Sequence, residues 1–187
     1  MNGLLIAIKS ETFIALRTFA SKLIVAAPAL VAAAQLLLVR LTEAGQQARD
    51  SLLGGSNFEA DVANNAYGFF VDSLSTGLTM LGLLLVAQAA YSYSYERDIG
   101  SIRHILIRRV SRRSLLSAKL IHLHVLALLS VLLLLVSSYL LSGMLWEYSA
   151  IVEDGFELIS ESEIREEITL GIQLALLPLP AAIAFGL

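Results

Sequence analysis

Four long stretches of the chain carry no charged residue and are dominated by Leu, Val, Ala and Ile: residues 23–39, 73–95, 120–146 and 168–187. Each is long enough to be a bilayer-spanning α-helix, which takes roughly 17–25 residues. A buried helix of a soluble protein seldom stays uncharged over such a length, and here four follow one another. We therefore predict an all-α, polytopic helical membrane protein with spans at about 23–41, 73–95, 120–146 and 168–187.

Residues 1–22 differ from these stretches because charges interrupt their apolar residues. The order is not that of a signal peptide, which has a basic, an apolar and a cleavage region in turn. On a helical wheel one side holds Leu5, Ile6, Phe13, Leu16, Phe19 and Ala20, and the other holds Ser10, Glu11, Arg17, Thr18, Ser21 and Lys22. The pattern predicts an interfacial amphipathic helix before the first span. A short disordered tail is the alternative.

The composition agrees with membrane insertion. Apolar residues make up 57% of the 187 residues and charged residues 16%, whereas soluble domains have about 45–50% and about 25%. This hydrophobicity excludes a disordered chain. The absence of cysteine excludes a disulfide scaffold and a cysteine-based metal site.

The net charge of −3 conceals an uneven distribution of charges. Alternate loops lie on one side of a membrane, so residues 1–22 and 96–119 share a side that carries 10 basic and 3 acidic residues. Residues 40–72 and 147–167 share the other side, with 3 basic and 13 acidic residues. The positive-inside rule predicts a cytoplasmic N-terminus in the cell membrane and external loops at 42–72 and 147–167. The last predicted span runs to the final residue, so we expect the chain to be part of a longer protein.

The cytoplasmic loop 96–119 combines an apolar stripe with a basic end. Apolar residues recur at helical spacing from Ile99 to Val110, and arginines crowd the end of that segment. This predicts a short amphipathic helix and a basic turn, with Ser111 or Ser114 capping the next helix. The stripe can rest on lipid or dock on a cytoplasmic partner, and the charge alone suits a simple topogenic anchor equally well.

The order of residues in this loop resembles the first cytoplasmic loop of permease subunits of ABC-2 type ABC transporters. The matching positions are Glu96, Arg97, Asp98, Gly100, Ser101, Ile102, Leu106, Val110, Ser111, Arg112 and Lys119. Arg109 departs from the pattern, because the family usually has Pro there. In such transporters the loop carries a coupling helix that rests in a groove of the ATPase subunit. The resemblance implies that the residues contacting the ATPase are Glu96, Gly100, Ile102, Leu106 and Arg112.

The resemblance further implies a permease subunit of an ATP-driven exporter that pairs with a second permease copy or paralogue. The chain contains no G-x-x-x-x-G-K-[ST] phosphate-binding motif. We therefore expect no enzyme activity from it and expect ATP and Mg²⁺ to be bound by a separate ATPase chain. No metal site and no nucleic-acid partner are expected, and the sequence does not define substrate-binding residues. The alternative function is a non-transporting membrane scaffold or anchor.

Few side chains within the predicted spans are candidates for chemistry. His122 and His124 lie about 200° apart around a helix and so cannot share a metal ion. Gln35 and Gln88 either join helices through hydrogen bonds or line a substrate path. Trp146 is expected in the aromatic belt at the outer interface.

Overall fold

The computed structural model describes residues 3–53, 65–98, 111–153 and 156–186. Its elements, in chain order, are α1 (Gly3–Arg17), α2 (Phe19–Leu53), α3 (Ala66–Asp98), α4 (Arg112–Leu145), β1 (Ile151–Glu153), β2 (Phe156–Ile159), α5 (Glu161–Leu176) and α6 (Leu179–Gly186). The all-α prediction is confirmed. The antiparallel pair of short strands, β1 and β2, is an addition that the sequence did not indicate.

Three helices of the described part of the chain are long and apolar enough to cross a membrane. They contain the candidate spans Phe19–Gln46, Ala66–Tyr91 and Arg113–Leu145. These spans correspond to the first three predicted ones. The helices extend past the uncharged stretches because charged residues can sit at the membrane edge without ending a helix.

The prediction of four transmembrane helices is wrong at its last member, 168–187. The segment does not form one helix, because α5 ends at Leu176 and α6 begins at Leu179. Pro178 and Pro180 explain the break. Proline lacks the N–H that would continue the helix, and its ring clashes with the carbonyl four residues earlier. A criterion based on charge alone does not detect this interruption.

The junction between α1 and α2 lies at Thr18, inside the segment 1–22 that was predicted as one helix. The N–H of Thr18 donates to Ile14 O at 2.9 Å, and its hydroxyl donates to the same oxygen at 2.7 Å. A hydroxyl that bonds back to a carbonyl four residues earlier commonly bends a helix. The structure thus ends α1 at Arg17 and joins the next residues to α2.

The start of α5 is fixed by a reciprocal capping box. The N–H of Ser160 donates to Glu163 Oε2 at 2.9 Å, and the N–H of Glu163 donates to Ser160 Oγ at 3.4 Å. Within the predicted external loop 147–167, the structure places the strand pair before Ser160 and the first turns of α5 after it.

The contacts divide the chain into two units. The first unit comprises Met1–Pro28, Thr79–Leu133 and Leu177–Leu187, and the second comprises Ala29–Leu78 and Leu134–Leu176. In the first unit, Ala7 of α1 packs on Leu115 and Ala118 of α4. Among the described residues of the second unit, buried side chains cluster around Leu134 and around Trp146.

Candidate functional site

The predicted coupling loop is described only at its two ends. Gly100, Ile102 and Leu106 lie outside the described residues. Glu96 belongs to the last turn of α3, and Arg112 is the first residue of α4. The structure therefore gives the helices that flank the loop, while the contact of these five residues with an ATPase stays a prediction.

Ser111 fixes the point at which the chain leaves the loop and enters α4. Ser111 Oγ accepts a hydrogen bond from the N–H of Ser114 at 3.1 Å, and Ser111 O accepts one from the N–H of Leu115 at 3.1 Å. This is the geometry of an N-cap, in which a side-chain oxygen satisfies a backbone donor of the first turn. Of the two candidate caps, Ser111 is the one that the structure uses.

Lys119, the last residue of the predicted loop, lies in α4 and forms a buried ion pair with α1. Its Nζ is 3.0 Å from Glu11 Oε1. Lys119 is 2% exposed and Glu11 is 8% exposed. Charged side chains are rarely buried to this extent unless they are paired. The pair therefore ties the helix that precedes the first span to the helix that follows the loop.

Small residues allow the two helices to approach each other at this pair. The buried residues of α1 are Ala7, Glu11 and Ala15, which are spaced by four and so lie along one face. Leu115 lies four residues before Lys119 on α4 and packs on Ala7. The sequence grouped Glu11 with the polar side of α1, whereas the structure turns this side chain into the protein. The burial of Glu11 could have been predicted from the sequence, because alanine stands both four residues before and four residues after this acidic residue.

A cavity of about 260 Å³ adjoins the ion pair within the first unit. Its polar lining residues are Glu11, Thr18, Ser21, Gln88, Tyr91, Lys119 and His122. Gln88 thus lines this cavity, whose wall is mostly apolar. His124 instead donates its Nδ1–H to Leu120 O of its own helix at 2.7 Å. The two histidines make separate contacts, as their spacing predicted.

A second polar cluster lies in the second unit, at the start of α3. The hydroxyl of Tyr67 donates to Glu161 Oε1 at 2.8 Å and accepts a bond from Arg165 Nε at 2.9 Å. Arg165 Nη2 also pairs with Glu161 Oε1 at 2.5 Å. The hydrogen bond from Tyr67, followed by that from Arg165, holds the pKa of the Glu161 carboxyl below its ordinary value. These contacts attach α5 to the start of α3.

Trp146 lies in the protein rather than in an exposed aromatic belt. It is 7% exposed, its ring stacks on Phe69 with centroids 4.1 Å apart, and its Nε1–H donates to Glu43 Oε2 at 2.9 Å. A buried indole usually finds such an acceptor. The expected belt residue therefore joins α2 and α3 to the end of α4.

The family comparison covers nearly all of these elements. A family model described as ABC-2 family transporter protein matches residues 20–186. The chain belongs to this family. The resemblance drawn from the 96–119 loop is thereby confirmed at the level of the family. No curated protein and no solved structure matches the chain.

Membership assigns the chain to the membrane component of an ABC-2 transporter and not to the ATPase. The three long apolar helices agree with a multi-pass ABC-2 membrane protein. ABC-2 permeases normally work with an ABC ATPase subunit. Helix α1 precedes the matched residues, so the Glu11–Lys119 pair joins a segment outside the match to one inside it.

Proposed function

We propose that this chain is the membrane-spanning permease subunit of an ATP-driven ABC exporter. The observation that carries this proposal is the ABC-2 family match over residues 20–186. It favours a permease over the alternative of a non-transporting scaffold, because the matched family is one of transporter proteins. The residue order of loop 96–119 supports the same function.

In this proposal the chain supplies the transport pathway and the mechanical link, and its partners supply the chemistry. A separate ATPase chain binds ATP and Mg²⁺, and a second permease copy or paralogue completes the pathway. Closure of the ATPases displaces loop 96–119. Because α3 ends and α4 begins at this loop, a displacement of the loop acts directly on both helices.

The orientation is part of the proposal and is supported by the distribution of basic residues between the two sides. Because the chain has no cysteine, single-cysteine variants report orientation without background. We expect Ser149→Cys to react with a membrane-impermeant maleimide added to intact cells. Ser101→Cys in the loop should react only after the membrane is opened. Labelling in the reverse pattern would contradict the orientation.

Binding of the ATPase tests the coupling role directly. The chain is purified with the candidate ABC ATPase encoded beside it, and the amount of co-purified ATPase is measured. Leu106→Asp and Arg112→Glu should each reduce this amount, because both residues are expected at the contact. Arg113→Glu is the matched control, since it makes the same charge change at the neighbouring position, which falls outside the five expected contacts.

Two results would contradict the proposal at different levels. Unchanged ATPase binding and transport in Leu106→Asp and Arg112→Glu would remove the coupling role of the loop. Failure of the unmodified chain to co-purify with any ABC ATPase would favour the scaffold function instead.

A further inference from the structure

The predicted contact of loop 96–119 with the ATPase does not by itself explain why an ion pair is buried between α1 and α4. Among the described residues, Glu11 and Lys119 are the charged side chains that are buried. Transferring two charges from water into a protein is costly, and their mutual attraction offsets that cost only when the geometry is good. A pair of this kind contributes little net stability compared with apolar residues of similar size. Its effect is to select one arrangement of the two helices.

The apolar contacts around the ion pair do not by themselves fix one arrangement of α1 and α4. Ala7, Leu115 and Ala118 pack through apolar surfaces, and apolar contacts are non-directional, so they tolerate a shift of one helix along the other. A charge pair does not tolerate it, because a shift of one turn would separate the buried carboxylate of Glu11 from Lys119, and breaking a buried ion pair is strongly unfavourable. The 3.0 Å contact between Glu11 and Lys119 therefore fixes the register of α1 on α4.

The place of Lys119 along α4 connects this register to the coupling loop. Ser111 caps the helix at the end of the loop, and Lys119 lies two turns further on. A displacement of the loop is thus transmitted to Lys119 within the first turns of α4. On the other side of α1, Phe13 and Leu16 are exposed at 57% and 71%, as suits a helix whose outer face rests on lipid.

We propose that Glu11 is a positioning residue that, through Lys119, holds α1 on the base of α4 so that both move as one body during the transport cycle. The inference rests on the proposed permease function, because that function supplies the movement. It adds α1, which precedes the family match, to the parts of the chain that respond to the ATPase. The membrane-surface helix then shifts whenever the loop shifts.

Distance measurements test whether the two helices move together. Since the chain has no cysteine, spin labels can be placed at Ser10→Cys on α1 and Ser117→Cys on α4, both of which are exposed positions. Distances are measured by electron–electron double resonance on the complex with its ATPase in nanodiscs, without nucleotide and trapped with ATP and vanadate. We expect one narrow distribution that is the same in both states.

Three variants then address the ion pair. Glu11→Gln keeps the shape but removes the charge, and it should broaden the distance distribution and make it differ between the two nucleotide states. The exchange Glu11→Lys with Lys119→Glu should restore the single narrow distribution. Lys9→Gln removes a charge from the exposed part of α1 and should leave the distances unchanged.

The rate of ATP hydrolysis gives a second readout that a purely structural pair would leave unchanged. With ATPase binding retained, Glu11→Gln should change the hydrolysis rate of the complex by roughly 2- to 30-fold, the range expected for residues that modulate coupling between distant sites. The charge exchange should return the rate towards that of the unmodified chain.

The outcomes separate this inference from the proposed function. Retained ATPase binding with unchanged distances and unchanged hydrolysis in Glu11→Gln would overturn the inference alone. Failure of the charge exchange to restore the distances would also overturn it. Absence of ATPase binding by the unmodified chain would overturn the proposed function and this inference with it.

Discussion

Removing the hydroxyl of Ser130 is expected to destabilise the protein more when Pro28 is present than when residue 28 is alanine. Pro28 lies inside α2 and has no N–H, so the carbonyl of Ile24, four residues earlier, lacks its donor within the helix. Ser130 of α4 replaces that donor, because its buried hydroxyl donates to Ile24 O at 3.0 Å. Membrane helices tolerate proline when a neighbouring helix satisfies the freed carbonyl in this way.

The expected free-energy change follows from the state of that carbonyl. Leaving a buried acceptor unsatisfied costs about 1–3 kcal/mol, while hydrogen bonds between membrane helices measured by double-mutant cycles average about 0.6 kcal/mol and reach about 1.7 kcal/mol. We expect Ser130→Ala to lower the free energy of unfolding by about 1 kcal/mol. In the Pro28→Ala background the new N–H can bond Ile24 O, and the cost should fall to a few tenths of a kcal/mol.

The assay is a double-mutant cycle on the purified chain in mixed micelles. Unfolding is driven by sodium dodecyl sulfate and followed by far-ultraviolet circular dichroism. Ser137→Ala is the matched control, since Ser137 Oγ donates at 3.1 Å to Leu134 O of its own helix. Its effect should be small and independent of residue 28. An equal cost of Ser130→Ala in both backgrounds would refute the role assigned to the hydroxyl.

Two further predictions concern the second unit and the middle of α3. Gly77→Ala should destabilise the chain by about 1–3 kcal/mol, because the added Cβ would approach both methyl carbons of the fully buried Leu134, one of them at 2.7 Å. Gly82→Ala is the control and should stabilise the helix slightly, because a Cβ at Gly82 meets open space. If detergent unfolding shows Gly82→Ala to be less stable than Gly77→Ala, the packing at Gly77 is contradicted. Tyr67→Phe should raise the pKa of Glu161 towards its ordinary value, because the hydrogen bond from Tyr67 is the largest cause of its depression. Since the folded-state pKa is lowered, ionised Glu161 stabilises the attachment of α5 at a pH above its ordinary pKa, and this stabilisation is lost as the pH falls through the folded-state pKa. A carboxyl ¹³C NMR titration that gives the same Glu161 pKa in the unmodified chain and in Tyr67→Phe would contradict the prediction.

The main helices could be predicted from the sequence because hydrophobicity and charge determine membrane insertion. The uncharged stretches located α2, α3 and α4, and the basic loop between α3 and α4 indicated the family. The same criterion failed at 168–187, because Pro178 and Pro180 are uncharged and yet end a helix. An uncharged stretch therefore predicts that a segment is apolar, while the prolines determine whether it is one helix.

The ion pair at the candidate site could not be predicted, because it depends on which residues meet across helices. Glu11 and Lys119 are far apart in sequence, and each has an ordinary explanation by itself. A wheel places Glu11 among polar residues, and Lys119 counts towards the basic side of the membrane. Only their burial against each other distinguishes them from surface charges.

The exposed fractions of the side chains along α4 show why hydropathy cannot identify the packed surface of a membrane helix. Leu134 is fully buried, whereas Leu128 and Leu140 are 60% and 58% exposed. Lipid and the protein interior are equally apolar, so leucine is equally suited to both environments and its presence does not distinguish them. Ser130 and Ser142 are both fully buried, since small side chains let helices approach, and their hydroxyls donate to Ile24 O and Ser138 O. On α4, the burial of Ser130 and Ser142 therefore helps to mark the packed surface, which leucine content alone does not reveal.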